Sequence, residues 1–470
     1  MADLTLTLDY QSKTPLYEQL CAHVIGEIRA GRLREGEKLP SKRALCEHLQ
    51  ISRSTVESAY EILTAEGYVE ARPKSGYYVR PMLALEAAPR PAARVQRPDA
   101  PSPERIKYDF ATGDVDTSAF PYASWARINR EVVETMPHLL ALGDARGDRE
   151  LREVLAEFLR QYRGVVCEPD RIVLGAGGEY LMDVLMRLLG KGTVFALEDP
   201  GYGGAYRAVR AAGYPFVPIP LDTEGMDAAI LEASQASAAF VTPSHQFPTG
   251  VTMPAGRRAR LLRWAQAAPE RYLIEDDYDS EFRHTTRPIP AMQGMDGERV
   301  VYLGTFSRTI APSIRASYMV LPEKLMEAYR AGFGPSSSTL SRFEQQTLRL
   351  FIERGLYTRH LRRVGGLYRR RRSLMLGLFS PFPGVRFSGD DAGLHLLLTV
   401  DSMPERALVE KARAALVRVR GLSEYAYLAQ VPPGTLVMGY AGLEEAALKE
   451  AAGTLIAAWG LSGQSASAPP

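Results

Sequence analysis

Residues 15–30, PLYEQLCAHVIGEIRA, set Leu16, Leu20, Val24 and Ile28 at helical spacing behind Pro15, which predicts a first amphipathic helix. Ser41 is the expected N-cap of a short second helix that turns Leu45 and Leu49 inward. Ser52 caps a third, running to about Glu66, with Val56, Tyr60 and Leu63 inward. The few residues between the last two give helix-turn-helix spacing. GYVEARPKSGYYV then alternates apolar and polar positions around a turn at Pro73–Gly76, a hairpin or wing.

Beyond residue 107 the pattern changes. Short apolar runs (RIVLGAG, GTVFALEDP, AAFVTPS, RYLIEDDY and RVVYLGTF) alternate with helical ones. This predicts an α/β body with a mostly parallel sheet of buried strands. Sites in such sheets lie beyond the carboxyl ends of the strands. Between the two patterns, Arg80–Lys107 is rich in Pro, Ala and Arg and has no sustained period, as a linker does. The expected division is a head at 1–80, a linker at 81–107 and a body at 108–465, with a frayed tail from Leu461.

Composition narrows this picture little. The 470 residues suit two or three domains. A formal net charge of +2 gives no global basic field, so any nucleic-acid surface must be local. Cys21, Cys46 and Cys167 lack disulfide or metal spacing, which suits a reducing cytoplasm. The first twenty residues lack the charged start and apolar core of a signal peptide, and no apolar run approaches ~20 residues, so no membrane span is expected.

In the head, SRSTV offers hydroxyls, a guanidinium and a helix N-terminus, donors that phosphates and base edges require. Arg43 heads the preceding helix and Lys74 sits at the wing tip. On the residues alone, a protein-docking winged helix is the alternative. The stretch LPSKRALCEHLQISRSTVESAYEILTAEGYVEARPKSGYYV resembles the winged helix of GntR-type bacterial repressors: Leu-Pro-Ser-x-Arg, Ser-Arg-x-Thr-Val, Glu-Gly and a Ser-Gly wing. The resemblance implies DNA contact from Ser41, Arg43, Ser52, Arg53, Thr55, Lys74, Ser75 and Gly76, with Arg53 and Thr55 at the bases.

In the body, GAGGEYL supplies backbone amides at Gly177, Gly178 and Glu179 that suit a phosphate, or it is a merely structural glycine turn. Tyr202, in EDPGYGGAY, either covers a ring or is a plain loop tyrosine. Asp276 and Tyr278 follow the expected strand Tyr272–Glu275, where a carboxylate suits a protonated ring nitrogen; a solvated acidic loop is the alternative. Thr305, Ser307 and Arg315 form a set suited to a phosphate dianion.

TPSHQFPTGVTMPAGRR, IEDDYDSEFR and YLGTFSRTIAPSIR resemble the fold-type-I aminotransferase domain of the MocR regulators, in which a GntR winged helix is fused to an aminotransferase-like body. The likeness spans about residues 10–80 and 108–460. It implies a bacterial, cytoplasmic transcription regulator, nucleoid-associated when bound to DNA. Its implied partners are a double-stranded DNA operator, a small-molecule effector and a second copy of the chain in a head-to-tail homodimer. It also implies pyridoxal phosphate as sensing apparatus. The phosphate would meet Gly177, Gly178, Thr305, Ser307 and Arg315; Tyr202 would stack on the ring, Asp276 face its nitrogen and Tyr278 its hydroxyl.

One position departs from that pattern. The family has Ser-Lys where this chain has Ser307-Arg308. A Schiff base needs an amine that can lose its proton, and guanidinium stays charged and delocalised. No catalytic residue is therefore expected, and pyridoxal phosphate, if bound, is held noncovalently. Arg308 either meets an anion, pairs internally with an acid such as Asp276, or marks a disabled site. Val437 stands where aminotransferases carry the arginine that clamps a substrate carboxylate, and Ser317 where the family usually has glycine. The expected function is a DNA-binding regulator with a catalytically silent sensor. The alternatives are an aminotransferase with an accessory DNA-binding head, and a structural dimer that binds DNA constitutively.

RHLRRVGGLYRRRR, Arg359–Arg372, has Leu361, Val364, Leu367, Leu374 and Leu376 as its expected inward face, which makes its arginines a solvated face or subunit contact ahead of an auxiliary DNA contact. His395 is expected to be a strand histidine with a structural partner, and no metal site is expected for want of clustered ligands.

Overall fold

The computed structural model describes residues 6, 8–81, 106–284 and 289–462. Most of the predicted linker and of the tail lies outside them. The chain divides into two compact units, Met1–Pro103 and Glu104–Pro470.

The first unit carries α1 (Leu16–Arg29), α2 (Lys42–Leu49), α3 (Arg53–Ala65) and a hairpin of β1 (Val69–Arg72) and β2 (Gly76–Val79). Both expected caps form. Ser41 Oγ accepts from the Ala44 amide at 3.1 Å and Ser52 Oγ from the Thr55 amide at 3.2 Å. Each satisfies one of the donors a helix N-terminus leaves free. Gln50 closes α2 in the left-handed region (φ 54°), so that the chain turns directly into α3. Leu20, Val24, Leu45, Val56, Tyr60 and Leu63 are buried together, and Tyr60 donates to the Pro40 carbonyl at 2.8 Å. The hairpin pairs antiparallel, with Val69 opposite Val79 and Arg72 opposite Gly76. Leu49 is half-buried rather than sealed in the core.

The second unit begins with a short strand, β3 (Tyr108–Asp109). Eight strands then make one sheet: β4 (Ile172–Gly175), β5 (Phe195–Asp199), β6 (Phe216–Asp222), β7 (Gly225–Met226), β8 (Ala238–Val241), β9 (Tyr272–Asp277), β10 (Val300–Thr305) and β11 (Ser317–Val320). Their order is β4-β11-β10-β9-β8-β5-β6-β7. The run β6-β5-β8-β9-β10 is parallel, and β11 is antiparallel to both β10 and β4. β4, β5, β8 and β11 are buried throughout, as strands covered on both faces must be. The expected strand Tyr272–Glu275 runs on to Asp277, so Asp276 stands within its carboxyl end and not after it.

A smaller antiparallel sheet is formed from β12 (Val385–Ser388), β13 (His395–Val400), β15 (Arg420–Gly421) and β16 (Thr435–Gly439), while β14 (Val417–Arg418) pairs in parallel with β3. The arginine-rich helix Leu356–Phe379 packs on this part, but on a different stripe from the expected one. Its buried residues are Tyr357, His360, Val364, Tyr368, Arg371, Met375 and Phe379, while Leu361, Leu367, Leu374 and Leu376 flank them half-buried. One of the arginines assigned to a solvated face, Arg371, is therefore interior, where it donates to Asp116 and to the Ala441 carbonyl. No helix among the described residues is long and apolar enough to cross a membrane.

Candidate ligand cavity and nucleic-acid interface

A cavity of about 260 Å³ opens where β9 and β10 end and the helix Gly178–Leu189 begins. Gly178, Tyr202, Asp276, Tyr278, Thr305, Ser307 and Arg315 all line it, and so does Arg308. These residues lie up to 137 positions apart in sequence (Gly178 to Arg315), and the parallel sheet brings them together.

Gly177 is the exception. Its amide, expected to be free, donates to the Gly175 carbonyl at 2.8 Å. Its contribution is room: φ is 100°, and a Cβ there would lie 2.5 Å from Arg315 Nη2. Helix-start amides remain for an anion at Gly178 and Glu179, at the positive end of the helix dipole. Arg315 itself takes a left-handed φ of 52°, and its Nη2 stands 3.4 Å from Glu179 Oε2. Thr305 Oγ1 accepts from the Ser307 amide (3.1 Å) and from Ser317 Oγ (2.9 Å), and donates to the Ala316 carbonyl (3.4 Å). Ser317 thus braces the turn instead of crowding it, and Thr305 shapes the turn instead of offering a free proton.

Tyr202 is the N-cap residue of the helix Gly203–Ala211, with its ring edge-on to Phe247 (6.0 Å, 88°). Tyr278 donates to the His245 carbonyl at 3.0 Å and lies 3.1 Å from His245 Nδ1. Burial, and then the charge of Asp279, raises its pKa well above the ordinary value.

Asp276 lines the cavity, and several carboxyls in the body are buried. Burial, followed by the charge of Asp277, pushes the Asp276 carboxyl up to about 7, against the pull of Arg308. Burial likewise takes Glu198 and Glu275 to about 7 and Glu281 to about 8. Asp277 goes the other way. Burial would raise it too, but Arg163 and the Tyr302 hydroxyl hold it below the usual carboxylate range.

Arg308 Nη1 donates to the Thr112 carbonyl. Among the described residues it makes no ion pair, so of the three readings of Arg308 the internal pairing with Asp276 does not form, and the two act on each other only through the field. Val437 is buried in β16 opposite Leu397 and beside Leu422, in a small apolar cluster.

His245 and Asp279 escaped the sequence reading, whereas His395 is the strand histidine with a structural partner that it expected. His245 Nδ1 lies 3.0 Å from Asp279 Oδ2, and His395 pairs with the Pro248 carbonyl at 3.1 Å. The two imidazoles are 4.8 Å apart. The argument that metal ligands are unclustered is therefore corrected: His245, Asp279 and His395 come together, with one donor atom of each within 4.8 Å of the others. Gly393 permits it, since a Cβ there would sit 2.1 Å from His245 Cε1. The hydrogen bonds of this cluster orient Tyr278 from behind. TPSHQFPTG announced His245, but its partners lie 34 and 150 residues away.

In the head, the N-termini of α2 and α3 present Ser41, Arg43, Ser52, Arg53 and Thr55, and the wing tip presents Lys74, Ser75 and Gly76. Ser52 Oγ is 2.8 Å from both Ser54 Oγ and Thr55 Oγ1. The side chains of Arg43 and Arg53 are 90% and 80% exposed, and among the described residues each makes only an i,i+4 pair, with Glu47 and Glu57. Such pairs are worth little, so both guanidiniums are available to phosphates or bases. Lys74 holds φ 60° at the turn, and Ser75 Oγ bonds the Tyr78 hydroxyl at 2.7 Å.

Comparison with known proteins agrees with both parts. Residues 16–79 match the family described as bacterial regulatory proteins, gntR family, and residues 105–455 match aminotransferase class I and II. The uncharacterized HTH-type transcriptional regulator YdeL of Bacillus subtilis is 37% identical over 463 residues, covering 97% of this chain and 99% of that one. The probable rhizopine catabolism regulatory protein MocR of Rhizobium meliloti is 32% identical over 475 residues, covering 97% and 96%. Among solved structures, kynurenine aminotransferase of Pyrococcus horikoshii superposes with a TM-score of 0.66 at 25% identity, over 75% of this chain and 90% of that one. The chain belongs to the MocR-type HTH transcriptional regulators, a GntR winged helix joined to a class I and II aminotransferase body.

Proposed function

We propose that the head binds a double-stranded DNA operator and that the body is a catalytically silent sensor, holding a small phosphorylated ligand without a covalent bond. The observation that carries this reading is Arg308. It lines the cavity among residues otherwise suited to pyridoxal phosphate, and the family resemblance puts it where the Schiff-base lysine would stand. The site fits that cofactor by its donor set. The Gly178 and Glu179 amides, Ser307 and Arg315 suit the phosphate, and a Cβ on Gly177 would displace the Arg315 guanidinium from its place. Asp276 suits a protonated ring nitrogen, Tyr278 a ring hydroxyl, and Tyr202 the ring face. When bound, pyridoxal phosphate supplies an electron-poor ring and an aldehyde, and nothing at position 308 can attack that aldehyde.

The bodies pair as a homodimer in the cytoplasm and present two heads to two half-sites. A ligand changes operator affinity only as far as it binds one arrangement of the dimer better than another.

Two measurements test this. Fluorescence anisotropy on duplexes selected from a random pool should show Arg53→Ala weakening binding by about 1–3 kcal/mol, the loss of a base contact. Unchanged affinity removes Arg53 from the interface. Peptide mass spectrometry after borohydride treatment with pyridoxal phosphate should show no adduct within the native cavity and an adduct at position 308 in Arg308→Lys. An adduct in the native cavity, or amino-group transfer by the native chain, would restore the enzyme reading.

A further inference from the structure

The chemistry available to Arg308 goes beyond the loss of an amine. Guanidinium is a planar fork of five N–H donors that cannot shed its charge. Nη1 donates to the Thr112 carbonyl, and a Cβ on Gly113 would lie 3.7 Å from it. That contact holds the side chain against the segment Thr112–Gly113, and Arg308 and Gly113 both line the cavity. Among the described residues no carboxylate pairs with them, although Asp276 lines the same cavity. A partly desolvated cation left without an anion is costly. Arg315, which also lines the cavity, is already near Glu179, so each of the two guanidiniums defines its own place for negative charge.

We propose that Arg308 forms a carboxylate subsite, so that the cavity takes a phosphorylated nitrogen heterocycle bearing a ring carboxylate in preference to the corresponding aldehyde. This rests on the reading of the body as a noncovalent sensor. A side chain at 308 meets the ring substituent that a lysine would attack. A carboxylate there offers two oxygens to the guanidinium fork, an aldehyde offers one neutral acceptor, and an aminomethyl cation is repelled. Charge complementarity points the same way. Arg308 and Arg315 flank a site in which Asp276 supplies the acceptor for a ring N–H, so a ring with two anionic substituents and one protonated nitrogen matches it.

Titration calorimetry on the full-length chain compares three probes: pyridoxal phosphate, pyridoxamine phosphate, and the 4-carboxylate made by oxidising the aldehyde. The carboxylate is expected to bind about tenfold tighter than the aldehyde or better, with the aminomethyl compound weakest. Arg308→Gln, its folding checked by the tryptophan-fluorescence unfolding midpoint, should erase that preference. Equal or tighter binding of the aldehyde by the native chain overturns the proposal. So does a preference that survives Arg308→Gln, or a variant that weakens aldehyde and carboxylate alike, which would place Arg308 on the phosphate. Aldehyde binding without a carboxylate preference leaves the sensor reading standing, whereas failure of all three probes to bind sinks both.

Discussion

Arg163→Ala is expected to destabilise the body by about 3–5 kcal/mol at neutral pH. Arg163 ends the helix Arg149–Arg163 and is 3% exposed. Its Nε donates to Asp277 Oδ2 at 2.6 Å, Nη1 to the Ile289 carbonyl at 2.8 Å and Nη2 to Ser244 Oγ at 2.9 Å. Asp277 Oδ2 also accepts from the Tyr302 hydroxyl at 2.6 Å. Removing the guanidinium leaves a buried carboxylate beside Glu275, Asp276 and Glu281, all of which already resist ionisation. The cost is that of an uncompensated buried charge, which exceeds the net worth of the pair itself. The pH dependence has a definite sign. The native Asp277 pKa is depressed, so its stabilisation is present above the unfolded carboxylate pKa and is lost as pH falls through the folded one. The gap between native and variant should therefore be widest near neutrality and close in acid. Urea unfolding followed by tryptophan fluorescence reads the body alone, because the three tryptophans are Trp125, Trp264 and Trp459. Arg163→Ala with Asp277→Asn should recover part of the loss. No recovery would mean that packing, rather than the orphaned charge, carries the effect.

The same pair shows where sequence reading stops. Helix caps, turn residues and apolar periods are local, and they located α1 to α3, the wing, four strands of the parallel run (β5, β8, β9 and β10) and β4, because Ser41 and Ser52 act within three residues of themselves. Buried parallel strands are also legible, since a strand covered on both faces must be an unbroken apolar run. β6 went unrecognised because Pro218 and Pro220 interrupt its run. β11 is a buried apolar run as well, and what only the topology supplies is its antiparallel pairing with β10 and β4.

In the site, residues at strand ends were readable because the fold type fixes where a strand end must face. What closes behind them was not. Arg163 and Asp277 are 114 residues apart, and His245 and His395 are 150 apart. No spacing rule joins them. Arg371 shows the limit of reading charge as exposure: it sits in an arginine run yet is 2% exposed, because Asp116 reaches it from another element. Gly177 shows the limit of reading glycine as a free amide, because the turn uses that amide itself and leaves the space above it for Arg315.

Asp276→Asn is expected to move stability and ligand affinity in opposite directions. In the ligand-free body the Asp276 carboxyl titrates at about 7, raised first by burial and then by Asp277. An acid whose folded pKa is raised keeps the folded state at full stability below its unfolded pKa, near 4, and loses that stability as pH climbs through the folded one. Ionised Asp276 is therefore a burden on the empty body above about pH 7, and a neutral amide of the same shape relieves it. The variant should unfold at higher urea than the native body at pH 8, and the advantage should shrink at pH 5, where native Asp276 is already protonated. A ligand with a protonated ring nitrogen reverses the balance, because it makes the ionised carboxylate the favoured form. Returning a carboxyl from about 7 to its ordinary range corresponds to a coupling of up to about 4 kcal/mol. Loss of pyridoxal phosphate affinity by about 2–4 kcal/mol in Asp276→Asn is the expected result, read by calorimetry at pH 8. A ring that binds through its phosphate and face alone would leave the affinity unchanged. In that case Asp276 would be a buried acid with no ligand to meet, and the cavity would hold a molecule without a basic ring nitrogen.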